Sequence, residues 1–333
     1  MSDSAPDFDS GSADASLDPD PSAQPHDAFF KAVFSDPDKA GAFFRRHLPP
    51  EITGRIEWSS LAVLPASFVK RDLHQSHSDL LFSTRLEERE TLLYLIFEHQ
   101  STPDPLMPLR LLGYMVEILT AHVRENPLPL PPVLGFVLHQ GPARWNTPVS
   151  FEHLFDLPPD MAEALLPYLP KFRHALLDLT QCDPAREEDR GDVRVVLQLM
   201  KYAREQRRME FFVWLATEYA GLRAFLSDPL LRRIFTYSFD NDQTLDVEAI
   251  YLHLQSEPRL KDTFMTTAET LIAKGEAKGQ AFGLVMGKLQ MLEQLMGGPV
   301  TPQDALQGLS LEELEERYRD IQARYDSQFK RPS

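Results

Sequence analysis

The sequence predicts an α/β protein, with a mixed sheet and its flanking helices in the N-terminal half and helices in the C-terminal half. Three observations support this fold class. Apolar residues recur at helical spacing before residue 50. Four short apolar or alternating runs follow between residues 61 and 138, with one amphipathic stretch between the last two. Beyond residue 150 the apolar residues return mostly to helical spacing.

The first two helices are marked by aromatic residues and by a turn signal between them. Ser35-Asp36-Pro37 predicts a break, with Asp36 as the N-cap of the second helix and Pro37 at its first position. Pro49-Pro50 predicts the end of that helix. The apolar residues that share the helical faces are Phe29, Phe30, Val33, Phe34, Phe43, Phe44 and Leu48.

Three strands, a helix and a fourth strand are predicted next. Polar residues 87–90 separate the second and third runs and indicate an antiparallel hairpin. The third run, L-L-Y-L-I-F, is continuously apolar, which is typical of a central strand covered on both faces. The predicted strands are 61–69, 79–86, 92–97 and 133–138, and the predicted helix is 105–125.

The second half of the chain is predicted to be helical, including most of 154–179. The last helices are expected at about 266–296 and 311–325. Gly275, Gly279, Gly283 and Gly287 form a stripe without side chains on the first of these, although each glycine costs about 1 kcal/mol in a helix. We expect a second subunit to approach along this stripe, giving a homo-oligomer. A marginal, flexible helix or linker is the alternative.

Length and composition are those of a folded protein of two domains, or of one large domain with an appendage. The chain has 333 residues, of which 43% are hydrophobic and 25% are charged. Residues 1–25 contain six Asp and no Lys or Arg, which predicts a disordered acidic tail. The other predicted divisions are a core at 26–150, a helical extension at 151–260 and a helical C-terminal segment at 261–333.

Charge and cysteine usage exclude several classes of protein. The formal net charge of −16 argues against a protein that holds DNA on a broad basic surface, because phosphate neutralisation needs clustered Lys and Arg, but not against an enzyme that touches nucleic acid briefly. Cys182 is the single cysteine, so no intrachain disulfide and no cysteine-based zinc site are expected, as in a reducing compartment. The sequence has no secretory signal and no run of 18 apolar residues, so we expect a cytoplasmic protein without membrane contact.

Polar residues at the ends of two predicted strands form a candidate site. Asp79 opens one strand, and Glu98 and Gln100 close the next. Residues two apart in a strand point to the same side, so Glu98 and Gln100 share a face, and antiparallel pairing brings Asp79 near them. Two carboxylates are typical of a Mg²⁺ site, and such a metal activates phosphodiester hydrolysis. The alternative is that Glu98 only marks the solvent end of the sheet.

Several longer stretches resemble a known family. They are H-D-A-F-F-K-A-V-F-S-D-P at 26–37, F-F-R-R-H-L-P-P-E at 43–51, S-D-L-L-F at 78–82 and L-I-F-E-H-Q-S-T-P-D-P-L-M-P-L-R-L-L-G-Y-M at 95–115. The order of elements, with Asp on one strand and E-x-Q on the next, resembles the PD-(D/E)xK nuclease superfamily. More closely, the chain resembles the Rpn/YhgA-like recombination-promoting nucleases, often labelled "putative transposase".

The resemblance implies a restriction-endonuclease-like αβββαβ core and a Mg²⁺-dependent DNA endonuclease linked to recombination. It implies that Asp79 and Glu98 are metal ligands and that Gln100 takes the place of the superfamily's Lys. Gln100 is neutral, whereas lysine supplies positive charge near the scissile phosphate. Ser78 stands where the motif has Pro.

Four further residues are candidates for accessory roles. Asp27 and Lys31 share a face of the first helix, and the resemblance suggests a place beside the metal; the alternative is a solvated pair. Arg110 and Tyr114 are also four apart and can donate to a phosphate, or else join helix to sheet. Zinc binding by His77 and His99 is disfavoured, because His99 should face away from Glu98.

The main alternative to an endonuclease is a nuclease-fold module that is catalytically weak or inactive and serves assembly or partner binding. The acidic charge and the neutral Gln100 motivate it. A transposase that joins DNA strands is a third hypothesis, which the sequence disfavours because no triad of carboxylates is evident.

Overall fold

A computed structural model describes residues 25–65, 80–86, 92–126, 128–188, 190–240 and 245–329. The predicted acidic tail therefore lies outside the described residues, except for Pro25, which begins the first helix. The chain divides into two compact units between Glu257 and Pro258.

The first unit begins with helices α1, Pro25–Phe34, and α2, Pro37–His47, followed by the short α3, Pro50–Thr53. The predicted break between α1 and α2 is confirmed. The Asp36 side chain accepts a hydrogen bond of 3.0 Å from the Asp38 backbone N–H, and Pro37 occupies the first turn of α2. This cap satisfies one of the amides that a helix leaves unpaired at its N-terminus.

A five-stranded mixed sheet follows, in the order β1-β2-β3-β4-β5. The first three strands are antiparallel neighbours, whereas β4 and β5 run parallel to β3. Helix α4, Met107–Glu125, provides the crossover between β3 and β4 that a parallel pair requires. The strands are Ile56–Val63, Leu80–Leu86, Leu92–Gln100, Val133–His139 and Ala175–Asp178. The predicted α/β class and the antiparallel pairing of β2 with β3 are confirmed.

Two strands differ from the prediction. The first strand begins at Ile56 rather than Leu61 and has a register shift between Glu57 and Ala62, where an irregular stretch obscures the alternation. Residues 175–178 form β5, although helical spacing was predicted across 154–179. A run of only four residues is too short for its period to distinguish a strand from a helix.

The two faces of the sheet are covered by different helices. An aromatic cluster fills the face under α1 and α2, with ring centroids of Phe30 and Phe43 at 4.8 and 4.6 Å from that of Phe97. On the other face, Tyr94 and Ile96 pack with residues of α4. Because successive strand residues alternate between faces, residue 98 lies on the α4 side and residue 99 on the α1 side.

Helices complete the first unit. They are α5 Ala162–Leu165, α6 Pro184–Glu187, α7 Gly191–Arg204, α8 Arg208–Leu222, α9 Asp228–Asp240 and α10 Val247–Leu254. Helix α7 contacts α2, and α9 contacts α1. These helices therefore pack against the layer that covers the aromatic face of the sheet.

The second unit is helical, as predicted. It contains α11 Pro258–Leu295, α12 Gln303–Gln307 and α13 Leu311–Phe329. Its core is formed by Leu289, Leu306 and Leu314. Ser310 and Glu313 form a reciprocal cap at the start of α13, with the Ser310 N–H donating to Glu313 at 2.8 Å. None of the helices in the described parts of the chain is long and apolar enough to cross a membrane.

Candidate active site

The end of β3 carries a buried carboxylate. Glu98 is 0% exposed, and the Gln100 side-chain amide donates to Glu98 Oε2 at 3.0 Å. The expectation that these two side chains share a face is therefore confirmed. On the neighbouring strand Leu80 is paired with Phe97, the residue before Glu98. Asp79, the other predicted metal ligand, lies outside the described residues.

Arg110 of α4 provides the counter-charge for Glu98. Its Nη2 donates to Glu98 Oε2 at 3.0 Å, and its Nη1 lies 3.3 Å from Asp104 Oδ2. A carboxylate buried in a medium of low dielectric requires such a partner to remain ionised. The side chain of Arg110 is 26% exposed, and its two terminal nitrogens are directed at the carboxylates of Glu98 and Asp104.

Asp104 is a member of the site that the sequence did not reveal. It lies in the loop between β3 and α4, where its Oδ1 accepts from the Leu106 N–H at 2.8 Å and its Oδ2 faces Arg110. Its only signal in the sequence was its position four residues after Gln100. A loop residue has no periodicity from which its direction can be inferred.

Tyr114 is buried between α4 and the sheet. It is 4% exposed and belongs to the apolar cluster between α4 and the sheet, with Tyr94, Ile96 and Leu111. A role in packing helix against sheet therefore describes it better than phosphate binding.

His99 connects the other face of β3 to a buried polar network. Its Nδ1 lies 2.8 Å from Asp27 Oδ1, and its Nε2 lies 2.8 Å from Gln140 Oε1. Gln140 Nε2 in turn donates to the Met200 carbonyl at 2.7 Å and to the Tyr237 hydroxyl at 3.1 Å, which fixes the orientation of the amide. The two ring nitrogens of His99 thus connect Asp27 of α1 to Gln140, which follows β4.

The predicted neighbours on α1 are therefore separated from Glu98. Asp27 contacts His99 on the α1 side of the sheet, opposite the Glu98 side chain. The Lys31 side chain makes no contact with Glu98 or Gln100 within the described residues. The expectation that His99 faces away from Glu98 is confirmed.

The network ends at His26 and Tyr237, and the pKa values of both side chains are shifted. Tyr237 accepts from Gln140 and donates to His26 Nδ1 at 2.5 Å. Burial, reinforced by the positive charges of Arg204, His99 and Arg208, lowers the pKa of His26 to about 4. Burial raises the pKa of Tyr237 to about 12. Both groups therefore stay neutral at physiological pH.

The donor atoms near Glu98 are those that a hard cation prefers. Glu98 and Asp104 provide carboxylate oxygens, and Gln100 provides an amide oxygen, whereas Mg²⁺ selects oxygen ligands. Within the described ranges, however, no group of three or more His, Cys, Asp or Glu residues is arranged to hold a metal ion. The types of donor atom agree with Mg²⁺, and Asp79, the other predicted ligand, lies outside the described residues.

Comparisons with known proteins agree on one family. A protein-family model described as "Putative transposase, YhgA-like" matches residues 24–225. "Recombination-promoting nuclease RpnA" of Escherichia coli K12 is 27% identical over 295 residues, which cover 88% of this chain and 97% of RpnA. "Recombination-promoting nuclease RpnD" of E. coli O157:H7 is 36% identical over 126 residues, 37% of this chain and 48% of RpnD.

A relative with a different description has nearly the same identity to this chain as RpnA. "Inactive recombination-promoting nuclease-like protein RpnE" of E. coli K12 is 26% identical over 278 residues, which cover 82% of this chain and 91% of RpnE. No solved structure matches the chain. Because the family model covers more than half of the sequence, and because these relatives extend over most of it, the chain belongs to the Rpn/YhgA-like family.

Proposed function

We propose that this protein is a Mg²⁺-dependent DNA endonuclease that acts in recombination. The observation that carries the proposal is the buried Glu98 near the C-terminal end of the central strand β3, held beside Gln100 and Arg110. The names of RpnA and RpnD as recombination-promoting nucleases support the same reaction class.

We also propose that the core has the PD-(D/E)xK, restriction-endonuclease-like fold. Helices, three antiparallel strands, a crossover helix and a parallel strand occur in the order that this fold requires. Asp79 directly precedes Leu80 in the sequence, and Leu80 is paired with the residue before Glu98. This adjacency supports the assignment of Asp79 and Glu98 as the two carboxylates of one site.

The residues would divide the work as follows. Asp79 and Glu98 would hold the metal, which when bound polarises the phosphodiester and stabilises charge on its oxygens. The Gln100 amide would position a water molecule by hydrogen bonding. Arg110, whose side chain is partly exposed, would contact a phosphate oxygen and so supply the positive charge that the neutral Gln100 lacks.

The test is nicking of supercoiled plasmid DNA by the full chain, with and without Mg²⁺. We expect the wild type to nick only with the metal, and we expect Asp79→Ala and Glu98→Gln to lose about 100-fold or more in rate. Glu163→Gln, an exposed acid on α5, is the matched control and should retain full activity. Equal rates for the wild type and Asp79→Ala would reject the assignment.

The second candidate function is a weak or inactive nuclease-fold module. Two observations favour it: Arg110 already occupies Glu98 Oε2, and the relative RpnE is named inactive. On this hypothesis the wild type cuts no DNA with Mg²⁺, Mn²⁺ or Ca²⁺, while the protein still folds and assembles. A cytoplasmic location stays a prediction.

We further propose that the protein assembles through α11. An added Cβ at Gly275, Gly279, Gly283 or Gly287 would meet no atom within 4 Å, so no described part of the chain packs against the stripe. Exposed Leu284, Met291 and Leu295 flank its C-terminal part. A second copy of the helix could approach closely along the glycines and cover these side chains.

A further inference from the structure

Arg110 lies between two carboxylates whose environments differ. Its Nη2 donates to Oε2 of Glu98 at 3.0 Å, and its Nη1 lies 3.3 Å from Oδ2 of Asp104. The Glu98 side chain is fully buried, whereas the Asp104 side chain is 28% exposed. A guanidinium that faces two carboxylates at once can move its hydrogen bonds toward either of them by a small rotation of the side chain.

Asp104 is fixed by hydrogen bonds that leave one carboxylate oxygen to Arg110. Its Oδ1 accepts from the Leu106 backbone N–H at 2.8 Å. Its backbone carbonyl accepts from the Met107 N–H at 3.2 Å and from the Thr147 hydroxyl at 3.3 Å. These bonds hold the loop between β3 and α4 at the start of the helix. The other oxygen, Oδ2, is therefore presented to Arg110 in a defined direction.

A role in turning the chain into α4 does not account for this arrangement. An aspartate that accepts from the N–H two residues on is common in turns, and this role uses Oδ1 alone. Asparagine would serve it equally well, without a charge. The contact at Oδ2 is additional, and it joins the loop to the same guanidinium that holds Glu98.

A cation that binds Glu98 would compete with Arg110 for the same carboxylate. Arg110 already donates to Glu98 Oε2, and two positive charges at one buried carboxylate repel each other strongly. Moving the guanidinium away from Glu98 is costly unless it keeps an ionised partner. The Asp104 carboxylate is such a partner and is already within 3.3 Å.

We propose that Asp104 is a positioning residue that receives Arg110 when a divalent cation binds Glu98. The inference rests on the proposed Mg²⁺ site and deepens it, because it assigns how one cation replaces another there. Movement of the guanidinium toward Asp104 leaves the Glu98 carboxylate and the Gln100 amide oxygen to the ion, and hard cations prefer such oxygen donors. Asp104 thus favours cation binding without being a ligand.

The experiment is titration of the full chain with Mn²⁺, whose free concentration is measured by electron paramagnetic resonance, so the readout does not require DNA cutting. Asp104→Asn keeps an oxygen for the Leu106 N–H but removes the charge that receives Arg110. We expect this variant to bind Mn²⁺ about tenfold more weakly than the wild type. Glu163→Gln removes an equal charge from an exposed position on α5 and should bind as the wild type does.

A double-mutant cycle with Arg110→Gln separates positioning from direct ligation. Arg110→Gln removes the competing cation, so we expect it to bind Mn²⁺ at least as tightly as the wild type. In that background Asp104→Asn should weaken binding by less than about threefold, because no guanidinium remains to be received. A direct ligand would instead cause the same loss in both backgrounds. Circular dichroism and the melting temperature verify the fold of each variant.

The outcomes distinguish this inference from the proposed endonuclease. It is overturned if Asp104→Asn binds Mn²⁺ as the wild type does, if the loss is equal in both backgrounds, or if Arg110→Gln binds more weakly than the wild type. Both proposals fail if the wild type binds no Mn²⁺. If the cycle gives the expected coupling but the wild type does not nick plasmid DNA, the endonuclease proposal alone fails.

Discussion

The interaction between Arg110 and Glu98 sets the electrostatics of the candidate site. A fully buried carboxylate is costly without a partner, and Arg110 provides a hydrogen bond of 3.0 Å from a side chain that still reaches solvent. The same guanidinium therefore has two possible tasks, which are to hold Glu98 and to contact a substrate phosphate. Stability and activity measurements can separate them.

Arg110→Ala should affect both properties. We expect a loss of about 1–3 kcal/mol in the free energy of unfolding, because the buried Glu98 carboxylate loses a charged donor. We expect a loss of about 100-fold in the rate of DNA nicking if the guanidinium also contacts phosphate. Denaturant unfolding and plasmid nicking measure the two effects, with Arg232→Ala as the control.

Arg110→Lys separates the two tasks. Lysine keeps the charge but cannot form the paired contacts of a guanidinium, so stability should recover more than the cutting rate. If Arg110→Ala cuts DNA as fast as the wild type, Arg110 is a purely structural partner of Glu98.

For the residues of the site, the sequence predicted which neighbours along one strand share a face, but it did not predict contacts between different helices and strands. Glu98 and Gln100 share a face because strand residues alternate, which is a local rule. The pairing of Glu98 with Arg110, and of Asp27 with His99, depends on how α4 and α1 pack on the sheet. Asp27 on α1 and Glu98 on β3 were both predicted to lie at one site, yet they lie on opposite faces of the sheet.

The polar network shows how separate elements are joined. Asp27 of α1, His99 of β3, Gln140 after β4, Met200 of α7 and Tyr237 of α9 are linked by hydrogen bonds of 2.7–3.1 Å. Satisfied buried networks of this kind specify one packing arrangement, because a partial network leaves costly unpaired groups. His99 stands between Glu98 and Gln100 in the sequence, so the network also fixes the end of the strand that carries the site.

The His26 end of the network makes stability depend on pH. The pKa of His26 is about 4 in the folded protein and 6.5 in the unfolded chain, so the unfolded chain binds the proton more readily. The contribution of neutral His26 to the free energy of unfolding is therefore present above pH 6.5 and is lost as the pH falls toward 4. The full effect is roughly 3 kcal/mol, and solvent screening of the partly exposed ring reduces it to about 1–2 kcal/mol.

Denaturant unfolding between pH 4 and pH 7 tests this dependence. His26→Asn places an amide oxygen near the position of Nδ1 and keeps an acceptor for Tyr237 without a titrating group. We expect its stability to fall less steeply than that of the wild type over this range. Parallel curves for the two proteins would contradict the assignment.

Element boundaries were predicted well where apolar runs were long and poorly where they were short or irregular. Strands β3 and β4 and helix α4 were predicted because each has a continuous or strongly periodic apolar face. The four residues of β5 were assigned to a helix, because their strand character comes from pairing with β4. The pairing of these residues with β4 determined their conformation, and a single sequence does not reveal that pairing.

The distribution of charge across the molecule restricts how it could bind nucleic acid. The chain carries −16 overall, and six of its acids lie within residues 1–25. The described structure places one arginine, Arg110, against Glu98. A single arginine does not form the broad basic surface on which non-specific DNA binding depends, so DNA contact at Glu98 should be local and sensitive to salt.

Assembly through α11 is a property of the whole molecule, and one double substitution on that helix tests it. At 100° per residue, Gly283 and Gly287 lie about 120° and 160° around α11 from Leu289, which packs in the core of the second unit. Gly283→Leu/Gly287→Leu should convert a dimer to a monomer in light scattering, while the melting temperature stays the same or rises, because leucine favours helix over glycine by about 1 kcal/mol. Lys278→Leu adds the same side chain on the other side of the helix and should leave the dimer intact. A monomeric wild type, or a variant that remains dimeric, would remove the glycine stripe from any role in assembly.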